Sequence, residues 1–510
     1  MYSLIPKSNI TTQELAEVSQ VPAREPCQTG SLQSSDEILC AIDRVRSVQS
    51  QWKESKLAQR LQTIGRVAGL IAQHADALAA SIVRSAASPN EILASEVLPL
   101  AEGCRYVARR GRKVLSDSRL SARDRPWWMG SIRVREMREP FGAVLIIGPS
   151  NYPLFLPGVQ LIQALAAGNG VLIKPAPGCA SALEHLVELC MQAGVPAGLA
   201  RVLPDSLASA QMAVQAGVDK VVFTGSYEAG RAVARQLADS ITPAALELSG
   251  NDAVFVLEDA DLERVARSVA YALDFNGGQS CIAPRRLFAT GPTLERLLPQ
   301  LCTAIASAQP RAIQAKGWTF AQQAVEEALA GGARLVCGGL TKPTSPQSVT
   351  PIVLAGVTSS MRVATDDLFA PVLSVIEVDD MTTALELSGS CRFALGASVF
   401  GSADAAMLYA ARVPVGCVTV NDVLVPTADP RVSFGGWQSS GYGITRGLEG
   451  LREMSRLKVI CERRGRWLPH LGTDSARLAC LLRGILLLRH GRTLRDRWAG
   501  LKLLTKTFSG

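Results

Sequence analysis

Between residues 35 and 118 the apolar positions recur every three to four residues, as at Ile42, Val45 and Val48 and again at Leu57, Leu61, Ile64 and Ala68. That period belongs to a helix, so the stretch is predicted to be a block of helices. From residue 143 the texture changes to short continuous apolar runs separated by helical patterns. Strands are predicted at 143–147, 170–173, 200–203, 220–223 and 253–257, and helices through Val159, Leu161, Ile162 and Leu165 and at 182–192 and 207–216. Strands of four to six apolar residues alternating with helices imply parallel strand–helix–strand units buried on both faces. The expected fold class is α/β, a doubly wound parallel sheet. A second α/β segment is expected from about residue 262 to 420, with strands at 286–289, 333–337, 372–378 and 397–400. Residues 125–139 alternate around a glycine and predict an exposed hairpin or a bridging strand. The Gly-rich stretch 434–443 is expected to be a loop, and 457–460 a strand.

The two ends read differently. Residues 1–34 are polar with little periodicity and suggest an extended arm. Residues 476–488 are apolar but interrupted by Arg483 and Gly484, too short a run to cross a bilayer. Beyond them Leu494, Trp498, Leu501, Thr505 and Phe508 fall on one helical face among arginines and lysines. A basic amphipathic helix of this kind suits either an anionic membrane surface or docking on the body or a neighbouring subunit.

Composition narrows the class. A chain of 510 residues exceeds one ordinary core, so two or three domains are expected. With 47% hydrophobic and 19% charged residues it is globular, and 5% aromatics with 43 glycines suits helices, strands and tight turns better than an all-β sandwich. The net charge of +8 looks at first like a nucleic-acid signal. Residues 462–510, however, hold eleven Lys/Arg against three Asp/Glu, which leaves the body formally neutral. A neutral body argues against a nucleic-acid groove. Twelve cysteines without a CxxC, and an opening without an apolar leader, point to a reducing cytoplasm with free thiols.

Five features carry candidate chemistry. Gly225-Ser226-Tyr227-Glu228-Ala229-Gly230 follows a strand and opens a helix, so its backbone N–H groups suit a phosphate; it is equally an ordinary strand–helix turn. Lys174 closes a strand, where ligands of open α/β sheets gather, or is a solvated strand end. Cys281 sits in Gly277-Gly278-Gln279-Ser280-Cys281, a loop that frees a nucleophile, whereas cysteine elsewhere is usually a small buried hydrophobe. Glu247 lies within an apolar run, where its pKa should rise as a general base requires, or where a salt bridge holds it. Asn151 is a helix cap or an amide donor.

In order along the chain these segments resemble the aldehyde dehydrogenase superfamily from about residue 35 to 460. The matching stretches are EPFGAVLIIGPSNYP (139–153), AAGNGVLIKPAP (166–177), VVFTGSYEAGR (221–231), LELSGNDAVFV (246–256), FNGGQSCIAPRR (275–286), DLFAPVLSV (367–375) and VNDV with DPRVSFGG (420–436). The resemblance implies NAD(P)-dependent oxidation of an aldehyde to its acid, with Cys281 as nucleophile and Glu247 as general base. Asn151 and the Cys281 N–H would bind the oxyanion. Lys174 would hold the adenosine ribose, Gly225, Ser226 and Gly230 would lie near the pyrophosphate, and Asp367 and Phe369 beside the nicotinamide half. It further implies NAD or NADP as cofactor, no metal, a small aldehyde substrate, and a homodimer or homotetramer. The domains would be a cofactor-binding part (35–124 and 144–249), a bridging and oligomerisation element (125–143 and 446–461) and a catalytic part (250–445). An arm (1–34) and a basic tail (462–510) complete the chain.

Departures from the pattern bear on detail. Pro177 stands where the family often has an acid for the ribose 2′-hydroxyl, so NADP meets less repulsion. Asp367 is one methylene shorter than the usual glutamate, Ser249 and Ala370 replace common glycines, and residues 308–326 look abbreviated. An acylating relative linked to coenzyme A or phosphate, or a silent relative acting as a binding or scaffold protein, is the rival reading. Glu247 argues against the first and the joint presence of Cys281, Glu247, Asn151 and Lys174 against the second. Tyr152, Phe155 and Phe275 suit an apolar aldehyde or core packing alike.

Overall fold

The structure, a computed structural model, describes residues 35–84, 87–126, 129, 131–313, 315–339, 348–464, 468, 471 and 475–508. The expected arm at 1–34 lies outside them. The helical block comprises Ser35–Trp52, Leu57–Gln73 and Leu98–Arg110 with shorter turns between, among them the π-helical turn Leu93–Val97. In Leu57–Gln73, Leu61 and Ile64 of the expected period are buried together with Thr63, Val67 and Ile71, while Leu57 and Ala68 are half-buried.

Six strands form the first sheet, in the order Gly441–Tyr442, Ala244–Glu247, Lys220–Thr224, Ala143–Ile147, Gly170–Lys174 and Ala200–Val202. All neighbours are parallel except the first pair. Every residue of Ala143–Ile147 and Gly170–Lys174 is buried. Val144 and Ile146 join a core with Leu61 and Leu161, while Leu145 and Ile147 join another with Ile38, Ile42 and Val45. Helices on both faces explain why these strands read as unbroken apolar runs.

The second sheet has seven strands, in the order Arg334–Cys337, Ile352–Ala355, Val372–Glu377, Pro284–Ala289, Asp252–Val256, Gly396–Phe400 and Cys417–Val420, antiparallel only at the first pair. The strand expected at 253–257 as a continuation of the first series belongs to this second sheet. The chain therefore changes sheets between Glu247 and Asp252. Ile352–Ala355 and Cys417–Val420 are strands that the sequence reading did not anticipate.

A third, smaller sheet bridges distant parts of the chain. Ile132–Pro140 pairs antiparallel with Ser455–Arg463 over nine residues, from Ile132 opposite Arg463 to Pro140 opposite Ser455, and Ser118–Arg119 pairs on its other edge. The bridging-strand alternative for 125–139 is thus the observed one; no local hairpin forms because the partner comes from far along the chain. The expected loop at 434–443 contains two short strands, Trp437–Gln438 and Gly441–Tyr442, and the second lays Gly441 opposite Glu247. At Gly441 φ is +105°, and a Cβ would stand 1.9 Å from the Leu246 carbonyl oxygen, so only glycine permits this pairing. The tail folds as two helices, Ser475–His490 and Leu494–Phe508. Among the described residues no helix is long and apolar enough to cross a membrane, and the described cysteines are free.

Candidate active site

Glu247 is the last residue of its strand and Cys281 sits in the loop before Pro284–Ala289, so the switch between sheets brings them together. Cys281 Sγ donates to Glu247 Oε1 at 3.9 Å, and Thr445 Oγ1 donates to Glu247 Oε2 at 2.8 Å. Burial pushes the Glu247 carboxyl up from its ordinary value, against the pull of Arg446, Thr445 and Cys281. Burial also pushes the Cys281 thiol well up, reinforced by the carboxylates of Glu247 and Asp252, and Arg446 opposes this. At rest the pair is therefore a thiol hydrogen-bonded to an acid of raised pKa, in a position to exchange a proton.

The loop that carries the sulfur is held tightly. Asn276, Gly277 and Gly278 all have positive φ, and a Cβ on Gly278 would stand 2.7 Å from the Pro371 backbone. On the other side Gly250 admits the Cys281 carbonyl, which a Cβ there would meet at 2.3 Å. Fully buried Arg285 donates to Gly278 O at 2.7 Å and to Ala370 O at 2.6 Å, and its Nε faces Asp367 Oδ1 at 3.8 Å. Asp367 also accepts from the Phe369 N–H at 3.0 Å, with φ of Phe369 at +48°. One guanidinium thus ties the nucleophile loop to the segment holding Asp367 and Phe369.

Asn151 reaches the same loop: its Nδ2 donates to Gln279 O at 3.0 Å, two residues before Cys281. It does not cap the following helix. The helix Phe155–Ala167 is capped instead by Glu96, whose Oε2 accepts from Leu154 N at 3.1 Å and Phe155 N at 2.7 Å while Arg84 pairs its other oxygen at 3.1 Å. Burial holds the Glu96 carboxyl up at about 7. Nδ2 of Asn151 has a second N–H beyond the one Gln279 takes.

Lys174 ends one of the two strands that flank Ala143–Ile147, and Gly225 and Ser226 follow the other, with Gly230 in the helix after it. Lys174 is only 8% exposed, which sets aside a solvated strand end. Burial lowers its pKa and the nearby Asp205 carboxylate raises it, yet among the described residues its ammonium donates no hydrogen bond. A lysine buried along its stem, whose ammonium donates to no group among the described residues, fits the hydroxyls of a ribose. Ser226 caps the helix Tyr227–Ala238 through Ala229 N, and Gly230 lets that helix close on Leu248, which a Cβ would meet at 2.3 Å. Tyr227 N donates to Ser249 Oγ and Ala229 N to Ser226 Oγ, each at 3.3 Å, so among the described residues the Glu228 N–H is the group of that helix start left for a pyrophosphate.

A cavity of about 180 Å³ opens on Cys281 and Glu247, walled by Tyr152, Phe155, Phe275, Ile282, Leu424 and Phe434. The three aromatics expected near the site therefore do line it. Two residues escaped the sequence reading, Thr445 behind Glu247 and Arg446 in the cavity wall. Thr445 orients Glu247, and Arg446, 8% exposed, donates to Thr427 O at 2.7 Å and lies 4.1 Å from the Phe434 ring centre. No periodicity or spacing marks them; they arrive from a remote turn because Gly441–Tyr442 pairs beside Glu247. Arg285 was likewise not singled out, and Tyr152, expected as an apolar or packing aromatic, also bonds Ser280 through its hydroxyl.

A family model described as the aldehyde dehydrogenase family matches residues 10–460. The chain is 30% identical over 417 residues to 4,4'-diapolycopene aldehyde oxidase of Methylomonas sp, covering 79% of this chain and 77% of that protein. It is 29% identical over 451 residues to succinate-semialdehyde dehydrogenase (NADP+) 1 of Mycobacterium ulcerans (strain Agy99), covering 86% and 97%. Among solved structures, the indole-3-acetaldehyde dehydrogenase AldA of P. syringae, in complex with NAD+ and IAA, superposes with a TM-score of 0.79 at 27% identity, over 84% of this chain and 89% of that one.

Proposed function

The chain belongs to the aldehyde dehydrogenase family, and from that premise we propose that it oxidises an aldehyde to the carboxylic acid through a thioester on Cys281. The observation that carries this reading is the approach of the Cys281 sulfur to Glu247 at 3.9 Å in a mostly apolar cavity.

The thiol gives its proton toward Glu247 as the sulfur bonds the aldehyde carbon. The oxygen of that carbon becomes an oxyanion and accepts from the Cys281 N–H and the second N–H of Asn151 Nδ2, donors fixed in advance by the tied-down loop. When bound, the nicotinamide group of NAD or NADP supplies the acceptor for the hydride that leaves this carbon, which turns the adduct into a thioester. Glu247 sheds the first proton to solvent through the cavity and then takes one from an attacking water; as the C–S bond breaks, the Cys281 sulfur leaves with its electron pair and recovers that proton, and the acid departs. A base held in place by Thr445 supports hydrolysis over transfer of the acyl group to coenzyme A or phosphate.

Lys174 would hold the adenosine ribose, Gly225, Ser226 and Gly230 the pyrophosphate, and Asp367 and Phe369 the nicotinamide half. Residues 35–124 and 144–249 would be the cofactor-binding part and 250–445 the catalytic part. The diapolycopene oxidase and the apolar cavity wall support an apolar aldehyde as substrate. Ser455–Arg463 is an edge strand that exposes Leu457, Val459 and Ile460, which supports a homodimer or homotetramer assembled through it, with 125–143 and 446–461 as the bridging element.

The test is a rapid-mixing measurement with a simple aldehyde and NAD or NADP. The wild-type chain is expected to give a burst of reduced cofactor and Cys281→Ala none. Equal reduction by both would overturn the mechanism.

A further inference from the structure

We infer that the C-terminal helical hairpin, residues 475–508, is a docking surface for an anionic lipid bilayer. It lies beyond residue 460, where the match to the family model ends, and the site described above uses none of it.

The hairpin is built to stand by itself. Ser475–His490 and Leu494–Phe508 are joined by three residues. Gly484 and Gly500 let the two backbones meet: a Cβ on Gly500 would stand 2.4 Å from Leu488 N and 2.8 Å from Gly484 O. Leu481, Ile485 and Leu504 are buried over that contact. Asp496 N donates to Thr493 Oγ1 at 3.1 Å and Thr493 N to Asp496 Oδ2 at 3.0 Å, a reciprocal cap that starts the second helix. Arg477 donates to Thr507 O at 2.9 Å and secures its end. Among the described residues, each helix packs mainly on the other and not on the body.

What this packing leaves outside is apolar. Leu482, Leu486, Leu494, Trp498 and Leu501 are 47%, 59%, 78%, 63% and 42% exposed. At about 100° per residue, Leu482 and Leu486 lie roughly a third of a turn from the packing positions of their helix. Leu494, Trp498 and Leu501 lie roughly a third of a turn from Gly500 and Leu504, in the same rotational sense. In an antiparallel pair such displacements fall on one side, so the hairpin presents a single apolar face. Residues 475–508 carry eight Lys/Arg and one acid, Asp496, which is committed to the cap. Among the described residues Arg483, Arg489, Arg492, Arg495, Lys502 and Lys506 form no ion pair.

Charge decides what covers this face. A second copy would bring two basic rims together, and like charges across an interface repel. A nucleic acid would satisfy the cations but leave the leucines and the tryptophan in water. An anionic bilayer satisfies both: the apolar side chains enter the acyl boundary while the long basic side chains reach back to the phosphates. Neither helix spans, so the hairpin would lie in the plane of the surface.

Sedimentation of the full chain with vesicles tests this without reference to catalysis. It should bind vesicles of phosphatidylcholine mixed with phosphatidylserine, not phosphatidylcholine alone, and added salt should weaken binding. Arg495→Gln with Lys502→Gln and Lys506→Gln, and separately Leu494→Ser with Trp498→Ser, should each weaken binding at least about tenfold. Both sets are exposed and should leave turnover of a soluble aldehyde unchanged. Absence of binding to the mixed vesicles, equal binding to the neutral ones, or variants that bind as wild type would each overturn the inference. A change of oligomeric state in Leu494→Ser with Trp498→Ser, without loss of vesicle binding, would give the face to a second copy instead.

Discussion

Replacing Glu247 by glutamine separates the two halves of the proposed chemistry. The amide keeps the carboxylate's shape and its oxygen still accepts the bond that Thr445 donates at 2.8 Å, so the cavity should persist. Three things are removed: the acceptor of the thiol proton, which can pass to solvent instead, the base for the hydrolytic water, and a negative charge beside the sulfur. Loss of a general base costs about 100- to 10,000-fold, and the loss should fall on kcat, because hydrolysis is the step that needs it. The sulfur should respond the other way. A thiolate and a carboxylate 3.9 Å apart repel by about 4 kcal/mol at an effective dielectric constant of ~20, equivalent to roughly 3 pH units. Burial raises the Glu247 carboxyl from its ordinary value, so the wild type feels less than the whole of this repulsion. The alkylation midpoint of Cys281 in Glu247→Gln should therefore move to lower pH, by up to about 3 pH units. Iodoacetamide labelling across pH, followed at the Cys281 peptide by mass spectrometry, reads that midpoint. Rapid mixing should show a burst of reduced cofactor near one per site and then very slow turnover. A midpoint that stays put, together with loss of the burst, would refute the reasoning.

The remaining predictions act on other parts of the frame. Arg446→Leu removes the cation that opposes the rise of the Cys281 thiol, so the same alkylation midpoint should move to higher pH and kcat/KM should fall, with Arg446→Lys in between. Lys174→Met should weaken binding of NAD and NADP about 10- to 100-fold by calorimetry, the worth of hydrogen bonds from a charged donor, with the melting temperature little changed. Glu96, held at about 7 by burial, binds a proton in the native state that the unfolded chain releases near 4.5. Its contribution to stability is thus full below about pH 4.5 and is lost as pH rises toward about 7, and Glu96→Gln should flatten urea-denaturation stability across that window. Gly250→Ala puts a Cβ 2.3 Å from the Cys281 carbonyl oxygen, so kcat should drop in a protein whose circular dichroism is unchanged.

Much of the fold was legible because burial on both faces writes itself as unbroken apolar runs. Ala143–Ile147, Gly170–Lys174 and Lys220–Thr224 were predicted within a residue for that reason. What periodicity cannot carry is pairing over long distance. It did not show that Ile132–Pro140 meets Ser455–Arg463, or that Asp252–Val256 leaves the first sheet for the second. The site divides in the same way. Cys281, Glu247, Asn151 and Lys174 sit in local motifs and could be singled out one by one. Thr445 and Arg446 act through neighbours remote in sequence and have no local signature, and Arg285 joins the nearby Gly278 to the remote Ala370. Asn151 shows the converse: a position that suited a helix cap is relieved of that duty by Glu96, a residue 55 positions earlier in the chain, whose carboxylate only folding brings there.

The proton acceptor terminates one β-sheet and the nucleophile hangs from the other, so the distance between them is a property of two slabs and not of any one element. Each slab has its own interior, and a slip of an ångström or two between them would leave both interiors intact while parting sulfur from carboxylate. Gradual heating should therefore silence the enzyme some degrees before its helices melt, and a crosslink spanning the seam should bring the two temperatures together.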